Sequence, residues 1–250
     1  MMPRYRQVAY SFGPPLTPVV KRLIIVMAAV FAVTNILGAI PFDDTQLYLQ
    51  FYPRAFLGLV PWLVIHRLFV WQMVTYLFLH GGWLHIIFNL FALWMFGSDL
   101  ESLWGGHKFL FYYFLTGIGA GLFCVLLQPS SQIPTLGCSG AIFGLLLAYG
   151  MIFPDRPIYL YMIIPMKAKW FVVIMGVMEF VASYSDAGSG VSHVAHLGGM
   201  LFGFLYLRGW NLPYNLQRRY HEWRRARLRN KFEVYMRKQE KKDKAGRWIN

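Results

Sequence analysis

Long apolar runs, separated by shorter polar segments, dominate the pattern of the chain. The first run covers residues 23–40, directly after Lys21 and Arg22, and is long enough for about one membrane crossing. Five further runs are predicted to be helical, at residues 83–100, 109–127, 139–153, 168–184 and 192–207. The pattern therefore predicts an all-α membrane protein built as a six-transmembrane-helix bundle.

The segment between the first two runs, residues 41–80, is neither a span nor an open loop. It carries Asp43, Asp44, Arg54 and Arg67, which make it too polar to cross a bilayer. Its prolines and many aromatic residues are typical of structure that lies in the membrane interface. We expect such an interfacial structure here.

The composition supports a membrane protein. Of the 250 residues, 57% are hydrophobic and only 14% are charged, which is too apolar for a soluble domain. The polar first 20 residues lack an apolar core with a cleavage site, so no removable signal peptide is expected. Cys124 and Cys138 lie within or beside apolar runs, which argues against a disulfide scaffold and a cysteine-based zinc site.

The net charge of +13 mainly reports topology. With six crossings, all of the 24 lysines and arginines except Arg54 and Arg67 fall on one side of the membrane. The positive-inside rule makes that side, and both termini, cytoplasmic. We therefore divide the chain into a cytoplasmic N-terminal segment (1–22), a six-helix membrane domain (23–208) and a basic amphipathic cytoplasmic C-terminal tail (209–250).

The tail intersperses its basic residues with Trp223, Leu228, Phe232 and Tyr235. This mixture predicts an amphipathic helix near anionic headgroups, with membrane lipids as partners. A solvated basic tail is the alternative. Nucleic-acid binding is not expected, because topology accounts for most of the charge.

Unusual polar residues recur near the outer ends of three helices. In this topology the second, fourth and sixth helices all run inward from the outer face, so these residues share one depth. Ionisable side chains at such a depth are costly and usually functional. They are His80, His85 and Asn89 around the second helix, Ser139 at the start of the fourth, and His193 and His196 on the sixth.

Ser139 has two interpretations: a small packing residue beside Gly140 and Gly144, or a nucleophile. The histidines favour the nucleophile, because serine needs a base and histidine is the commonest one. The Asn89 amide, the His85 ring and the Ser139 backbone N–H are candidate oxyanion donors. A metal is the alternative for the histidines. No His-Glu-x-x-His occurs and no acid lies near them in sequence, so neither metal nor cofactor is expected.

Three motifs contain these polar residues. They are His80 with the ladder His85, Asn89, Leu93, Gly97 and Glu101; Gly137-Cys138-Ser139-Gly140, followed by Phe143; and Ala195-His196-Leu197-Gly198-Gly199. With these motifs the chain resembles the rhomboid family of intramembrane serine proteases over about residues 20–208. The family often has tyrosine at the position of Phe143, and its first-loop Trp-Arg pair appears here as Trp71-Gln72, a departure in a structural, membrane-facing element.

The resemblance implies a Ser–His dyad, with Ser139 as nucleophile and His196 as general base. It assigns His85, Asn89 and Gly137 to the oxyanion and substrate-binding site. Structural roles near the site are implied for His80, Gly140, Gly199 and Glu101, the last as a brace at the cytoplasmic end of the second helix.

Two further expectations concern packing and a third catalytic member. Gly140 and Gly144 on the fourth helix should pack closely against Gly199 and Gly203 on the sixth. Glu179 on the fifth helix is expected to face water or a polar neighbour rather than to complete a triad. His193 is expected to be a nearby polar residue and hydrogen-bond partner.

The implied function is hydrolysis of peptide bonds in or near transmembrane helices of membrane-protein substrates, through an acyl-enzyme. Non-cleaving rhomboid-like client binding is the alternative, although such relatives typically lack the serine or the histidine. A transporter is a third class, disfavoured because no internal repeat is evident. The compact six-helix core suggests a bacterial inner membrane. The sequence identifies neither the substrate nor the oligomeric state.

Overall fold

The computed structural model describes residues 13–38, 53–160, 164–185 and 192–209, with four helical positions of the tail, 223, 229, 233 and 236. Contacts divide the chain into two units, residues 1–209 and residues 210–250. Three expectations fall largely outside the described residues: the basic N-terminal residues Arg4 and Arg6, positions 41–52 of the interfacial segment, and the amphipathic tail.

Helices lie where the apolar runs predict them. Within the described residues, three helices are long and apolar enough to cross a membrane by length and composition, over Pro18–Ile36, Trp83–Trp104 and Gly106–Leu127. In chain order the described helices are α1 Pro18–Gly38, α2 Pro53–Leu57, α3 Pro61–Arg67, α4 Gln72–Thr75, α5 Trp83–Ala92, α6 Ser98–Trp104, α7 Gly106–Leu127, α8 Ser139–Ile152, α9 Ala168–Ser185 and α10 His193–Gly209.

A π turn, Leu93–Gly97, joins α5 to α6 into one helix. In a straight α-helix, each step of four residues overshoots the 3.6-residue turn by about 40°. Residues spaced by four over a long stretch would therefore rotate away from one face of the helix. The wider π turn offsets part of that drift. Asn89 and Glu101 are therefore both buried, although they lie twelve residues apart. The sequence pattern did not predict this turn.

Short helices α2 to α4 form the described part of the interfacial segment, and Gln72 holds them together. The fully buried Gln72 accepts a hydrogen bond at Oε1 from the Val60 N–H (3.0 Å) and donates from Nε2 to the Phe56 carbonyl (3.2 Å). Trp71 donates from Nε1 to the same carbonyl at 3.0 Å. Because these partners are neutral backbone groups, an uncharged amide suits this position.

Helices α7, α8 and α10 form the core, and glycines set their spacing. A Cβ on Gly199 of α10 would overlap the carbonyl oxygen of Gly140 on α8, so the two backbones are in direct contact. The other expected pair behaves differently. Gly144 and Gly203 both face α7, where added Cβ atoms would meet Thr116 and, from Gly203, the Tyr112 hydroxyl. The expectation that they join α8 to α10 was wrong.

An antiparallel pair of strands, β1 Pro157–Leu160 and β2 Ile164–Lys167, connects α8 to α9. Arg156, just before β1, donates to Asp99 of α6 at 2.7 Å and so ties this connection to the core. Helix α9 packs one face on α8 and α10 and leaves large apolar residues exposed on the other. They include Val173, Val177, Phe180, Val181 and Tyr184. Such a surface suits a bilayer rather than water.

Replacing Gly199 with alanine should destabilise the fold, because the new methyl group forces α8 and α10 apart. We expect the free energy of unfolding to fall by about 3 kcal/mol, at the upper end of ordinary overpacking costs. Reversible unfolding in mixed micelles measures the change. Gly209→Ala is the matched control on the same helix, since a Cβ there meets nothing within 4 Å. Equal stability of the two variants would contradict the contact.

Candidate active site

The loop before Ser139 (residues 135–138, here the nucleophile loop) is fixed by hydrogen bonds to the interfacial segment. Thr135 pairs with Leu59, with bonds of 3.0 and 2.8 Å. The Gly137 N–H donates to the Tyr76 carbonyl at 2.9 Å. Gly137 has a φ of +107°, a conformation that a side chain disfavours. This backbone path delivers Ser139 to the first position of α8.

Ser139 and His196 lie in contact. The Ser139 Oγ is 2.7 Å from His196 Nε2, across the interface of α8 and α10. The Phe143 ring stacks on the imidazole, with centroids 4.3 Å apart and planes 14° from parallel. Ser192 caps α10, and its carbonyl accepts the His196 N–H at 3.2 Å. His196 is therefore fixed at its backbone, on one ring face and at Nε2.

Glu179 of α9 completes a chain of hydrogen bonds behind His196. Its Oε2 accepts from His196 Nδ1 at 2.8 Å and from His193 Nδ1 at 2.6 Å. The Glu179 side chain is only 12% exposed. We expected Glu179 to face water or a polar neighbour, and it faces polar neighbours, the two histidines. His193 is a hydrogen-bond partner, as expected, although of Glu179.

The sequence contains a signal that Glu179 is paired inside the protein, although its expected role did not include the site. It is the single acid in the apolar run of α9. A lone carboxylate in such a run is costly unless it is paired inside the protein. The spacing of fourteen and seventeen residues to His193 and His196 hides the pairing, because helical periodicity relates residues within one helix and not between two.

His85 and Asn89 lie one turn apart on α5. The Gly81 N–H donates to His85 Nδ1 at 3.3 Å, which leaves the proton of the neutral ring on Nε2. That nitrogen faces the nucleophile loop, since a Cβ on Gly137 would be 2.7 Å from it. Asn89 is buried and donates from Nδ2 to the His85 carbonyl at 2.8 Å. His85 thus presents an N–H donor to the loop before Ser139, and the Asn89 amide donates to the backbone of α5.

His80 and Glu101 support the site from either end of the ladder. The buried His80 lies with Nε2 3.7 Å from the Cys138 sulfur, under the nucleophile loop. Burial, reinforced by the neighbouring His85 ring, lowers the pKa of His80 to about 4, so it is neutral near pH 7. Glu101 caps α1, accepting from the Val19 and Val20 N–H groups at 3.0 and 2.9 Å and from the Thr17 hydroxyl.

The same cluster bears on the metal alternative. Ligand atoms of Glu179, His193 and His196 all lie within 4.8 Å of one another. Two histidines and a carboxylate form a donor set that zinc uses. No acid lies near these histidines along the sequence, but Glu179 lies beside His193 and His196 in the fold. A metal on His196 Nδ1 would leave the ring proton on Nε2, where it would point at Ser139 and prevent the ring from accepting the serine proton.

Comparison with known proteins identifies the family. The rhomboid domain model matches residues 67–210, more than half of the chain. The chain belongs to the rhomboid family. This membership, with the three apolar helices, makes it an integral membrane protein.

Curated relatives include bacterial, mitochondrial and chloroplast proteins. The chain is 27% identical to Rhomboid protein 1, mitochondrial, of Saccharomyces cerevisiae, over 63% of this chain and 47% of the relative. It is 30% identical to Rhomboid protease GluP of Bacillus subtilis, over 57% of this chain and 26% of the relative. It is 32% identical to Rhomboid-like protein 11, chloroplastic, of Arabidopsis thaliana, over 55% of this chain and 52% of the relative. The chain thus spans about half or less of the length of these relatives.

Gly137→Ala should displace the nucleophile loop, because the backbone has a positive φ and the methyl group would collide with His85. We expect the free energy of unfolding to fall by at least about 1–2 kcal/mol from the backbone term alone. Gly81→Ala is the control on the other side of the same ring, where a Cβ would make an ordinary 3.7 Å contact. Thermal unfolding of both variants in detergent measures the difference, and unchanged Gly137→Ala stability would contradict this loop geometry.

Proposed function

We propose that this chain is an intramembrane serine endopeptidase that cleaves peptide bonds in or near transmembrane helices of membrane proteins. The observation that carries the proposal is the 2.7 Å contact between Ser139 Oγ and His196 Nε2 at the partly buried start of α8. A serine is a weak nucleophile until an adjacent base takes its proton, and this contact supplies one. Relatives named as rhomboid proteases support the same chemistry.

The reaction needs only groups of this chain and water. As Ser139 Oγ bonds to the substrate carbonyl carbon, its proton moves to His196 Nε2 and the carbonyl π electrons form an oxyanion. When the oxyanion collapses, the C–N bond breaks and the leaving nitrogen takes the proton from His196. Water then attacks the acyl-serine, giving its proton to His196, and Ser139 recovers a proton as the acid product leaves.

The developing oxyanion needs donors that are in place before the reaction. Backbone N–H groups at the start of α8 have no partner within the helix, and the helix dipole favours negative charge there. His85 Nε2–H faces Gly137, next to this helix end. We propose that these groups, with Asn89, form the oxyanion hole, and that Gly137 provides the space for the substrate carbonyl.

In this proposal six helices cross the membrane: α1, the continuous helix Trp83–Trp104, and α7 to α10. The 14 residues of α8 span about 21 Å, against about 30 Å of hydrocarbon, which supports a recessed Ser139. A substrate helix must unwind locally to expose its carbonyl, so helix-breaking residues should favour cleavage. Both termini are assigned to the cytoplasm, with a bacterial inner membrane as the proposed location.

Ser139→Ala and His196→Ala should both abolish reaction with a fluorophosphonate probe and cleavage of a transmembrane substrate. The first removes the attacking oxygen and the second its base, so kcat/KM should fall by about 10⁴-fold or more. Gel fluorescence in detergent and in liposomes measures labelling, and a substrate helix containing glycine or proline reports cleavage.

Ser183→Ala and His107→Ala serve as matched controls. The Ser183 hydroxyl bonds to the Phe180 carbonyl on α9, and His107 is exposed at the start of α7. Both should retain full labelling. Folded wild-type protein that neither labels nor cleaves in lipid, but still binds transmembrane clients, would replace the protease proposal with the client-binding alternative.

Asn89→Ala and His85→Ala should lower kcat by about 10²–10³-fold with little change in KM, since their contribution arises only as the oxyanion forms. Asn35→Ala on α1 is the control, because Asn35 also donates Nδ2–H to a carbonyl four residues earlier, at 2.7 Å. Steady-state cleavage in detergent measures both constants. Equal losses in the Asn35 and Asn89 variants would point to a helix effect and contradict the oxyanion role.

A further inference from the structure

We propose that Glu179 is a positioning residue that completes a Ser139–His196–Glu179 triad, and that His193 holds its carboxylate in place. The inference rests on the proposed hydrolase and assigns the function of the α9 carboxylate beside the reacting pair. Its basis is one continuous line of contacts across three helices: Ser139 on α8, His196 on α10 and Glu179 on α9.

The carboxylate decides which nitrogen of His196 carries the proton. A neutral imidazole has one N–H and one lone pair, and an ionised carboxylate only accepts hydrogen bonds. The 2.8 Å contact between His196 Nδ1 and Glu179 Oε2 therefore puts the proton on Nδ1. The lone pair is then on Nε2, 2.7 Å from the Ser139 hydroxyl. This is the tautomer that a general base requires.

The same contact stabilises the imidazolium that forms during acylation. His196 is 7% exposed and the Glu179 side chain 12% exposed, so water screens their interaction only weakly. A charge pair in such surroundings is worth more than one in water. Proton transfer from Ser139 creates positive charge on the ring directly beside a fixed negative group.

His193 gives the arrangement its rigidity. Its Nδ1–H donates to the same carboxylate oxygen, Oε2, at 2.6 Å, one helical turn before His196. The His193 and His196 rings are nearly perpendicular, at 88°, so they approach that oxygen from two directions. A glutamate side chain has several rotatable bonds, and two donors on one oxygen restrict it far more than one.

A purely structural role for Glu179 would show itself in stability. A buried carboxylate paired with two histidines need not strengthen the fold, because desolvation offsets much of the attraction. Helix α9 nevertheless carries this acid in an otherwise apolar run, aimed at the ring that touches Ser139. This position is what a catalytic role requires, whereas packing alone would favour an apolar residue there.

Glu179→Gln is the decisive variant, since it keeps the shape and removes the charge. The amide has no charge to stabilise the imidazolium, and it no longer fixes the ring proton on Nδ1, because either its oxygen or its NH2 can face that nitrogen. We expect kcat and the fluorophosphonate labelling rate to fall by about 100-fold to 10,000-fold, with KM and the unfolding midpoint nearly unchanged. His193→Phe should lower kcat by about tenfold, through loss of one bond to a charged group.

The pH profile of kcat/KM separates positioning from folding. Among the described residues, the titratable groups that face His196 are Glu179 on α9, His193 on α10 and His85 on α5. The carboxylate charge acts on the ring that takes the proton, so the acidic limb of the profile should differ between Glu179→Gln and wild type. Glu179→Asp keeps the charge and should keep the wild-type limb even where its shorter reach lowers kcat.

Ser183→Ala, one turn farther along α9, is the control and should match wild type throughout. Wild-type kcat, labelling rate and acidic limb in folded Glu179→Gln would overturn the triad while leaving the Ser139–His196 proposal intact. Loss of wild-type activity in excess EDTA would also overturn it, in favour of a metal on the same three groups. Folded wild type that neither labels nor cleaves would count against the protease proposal and this inference together.

Discussion

The contact between Gly199 and the Gly140 carbonyl is the constraint on which the rest of the site depends. Serine and histidine side chains are short, so they meet only where their helix backbones touch. Any side chain at Gly199 would overlap that carbonyl, and Ser139 precedes Gly140 directly. The 2.7 Å separation of Ser139 and His196 is thus a result of helix packing.

Three polar side chains in the interior show partners that are already in place. Glu179 is shared by two ring nitrogens, Gln72 by backbone groups, and Glu101 by the first N–H groups of α1. In a bilayer core, water cannot satisfy such groups, and an unmatched one costs several kcal/mol. Glu179 accordingly lies at the site and Glu101 at a helix end.

Much of this architecture was predictable from the sequence, because long apolar runs in membrane proteins admit few structures. The helices begin and end within a few residues of the predicted bounds, and Ser139 opens α8 as expected. Three features were not predictable. The π turn depends on packing, Gly144 and Gly203 face α7 because helix rotation is set by neighbours, and Glu179 reaches His196 only once α9 docks. Periodicity encodes none of these tertiary choices.

Glu179 contacts the reacting histidine, but it lies on a helix that is less tightly packed than its neighbours. Helix α9 has one packed face and one broad exposed apolar face, so its place in the bundle rests on fewer contacts than that of α8 or α10. The carboxylate moves with it. An outward shift of α9 by about 1 Å would lengthen both hydrogen bonds past the usual limit of about 3.2 Å and release both histidines together. The orientation of His196 therefore depends on how firmly α9, the less tightly packed helix beside it, is held in the bundle.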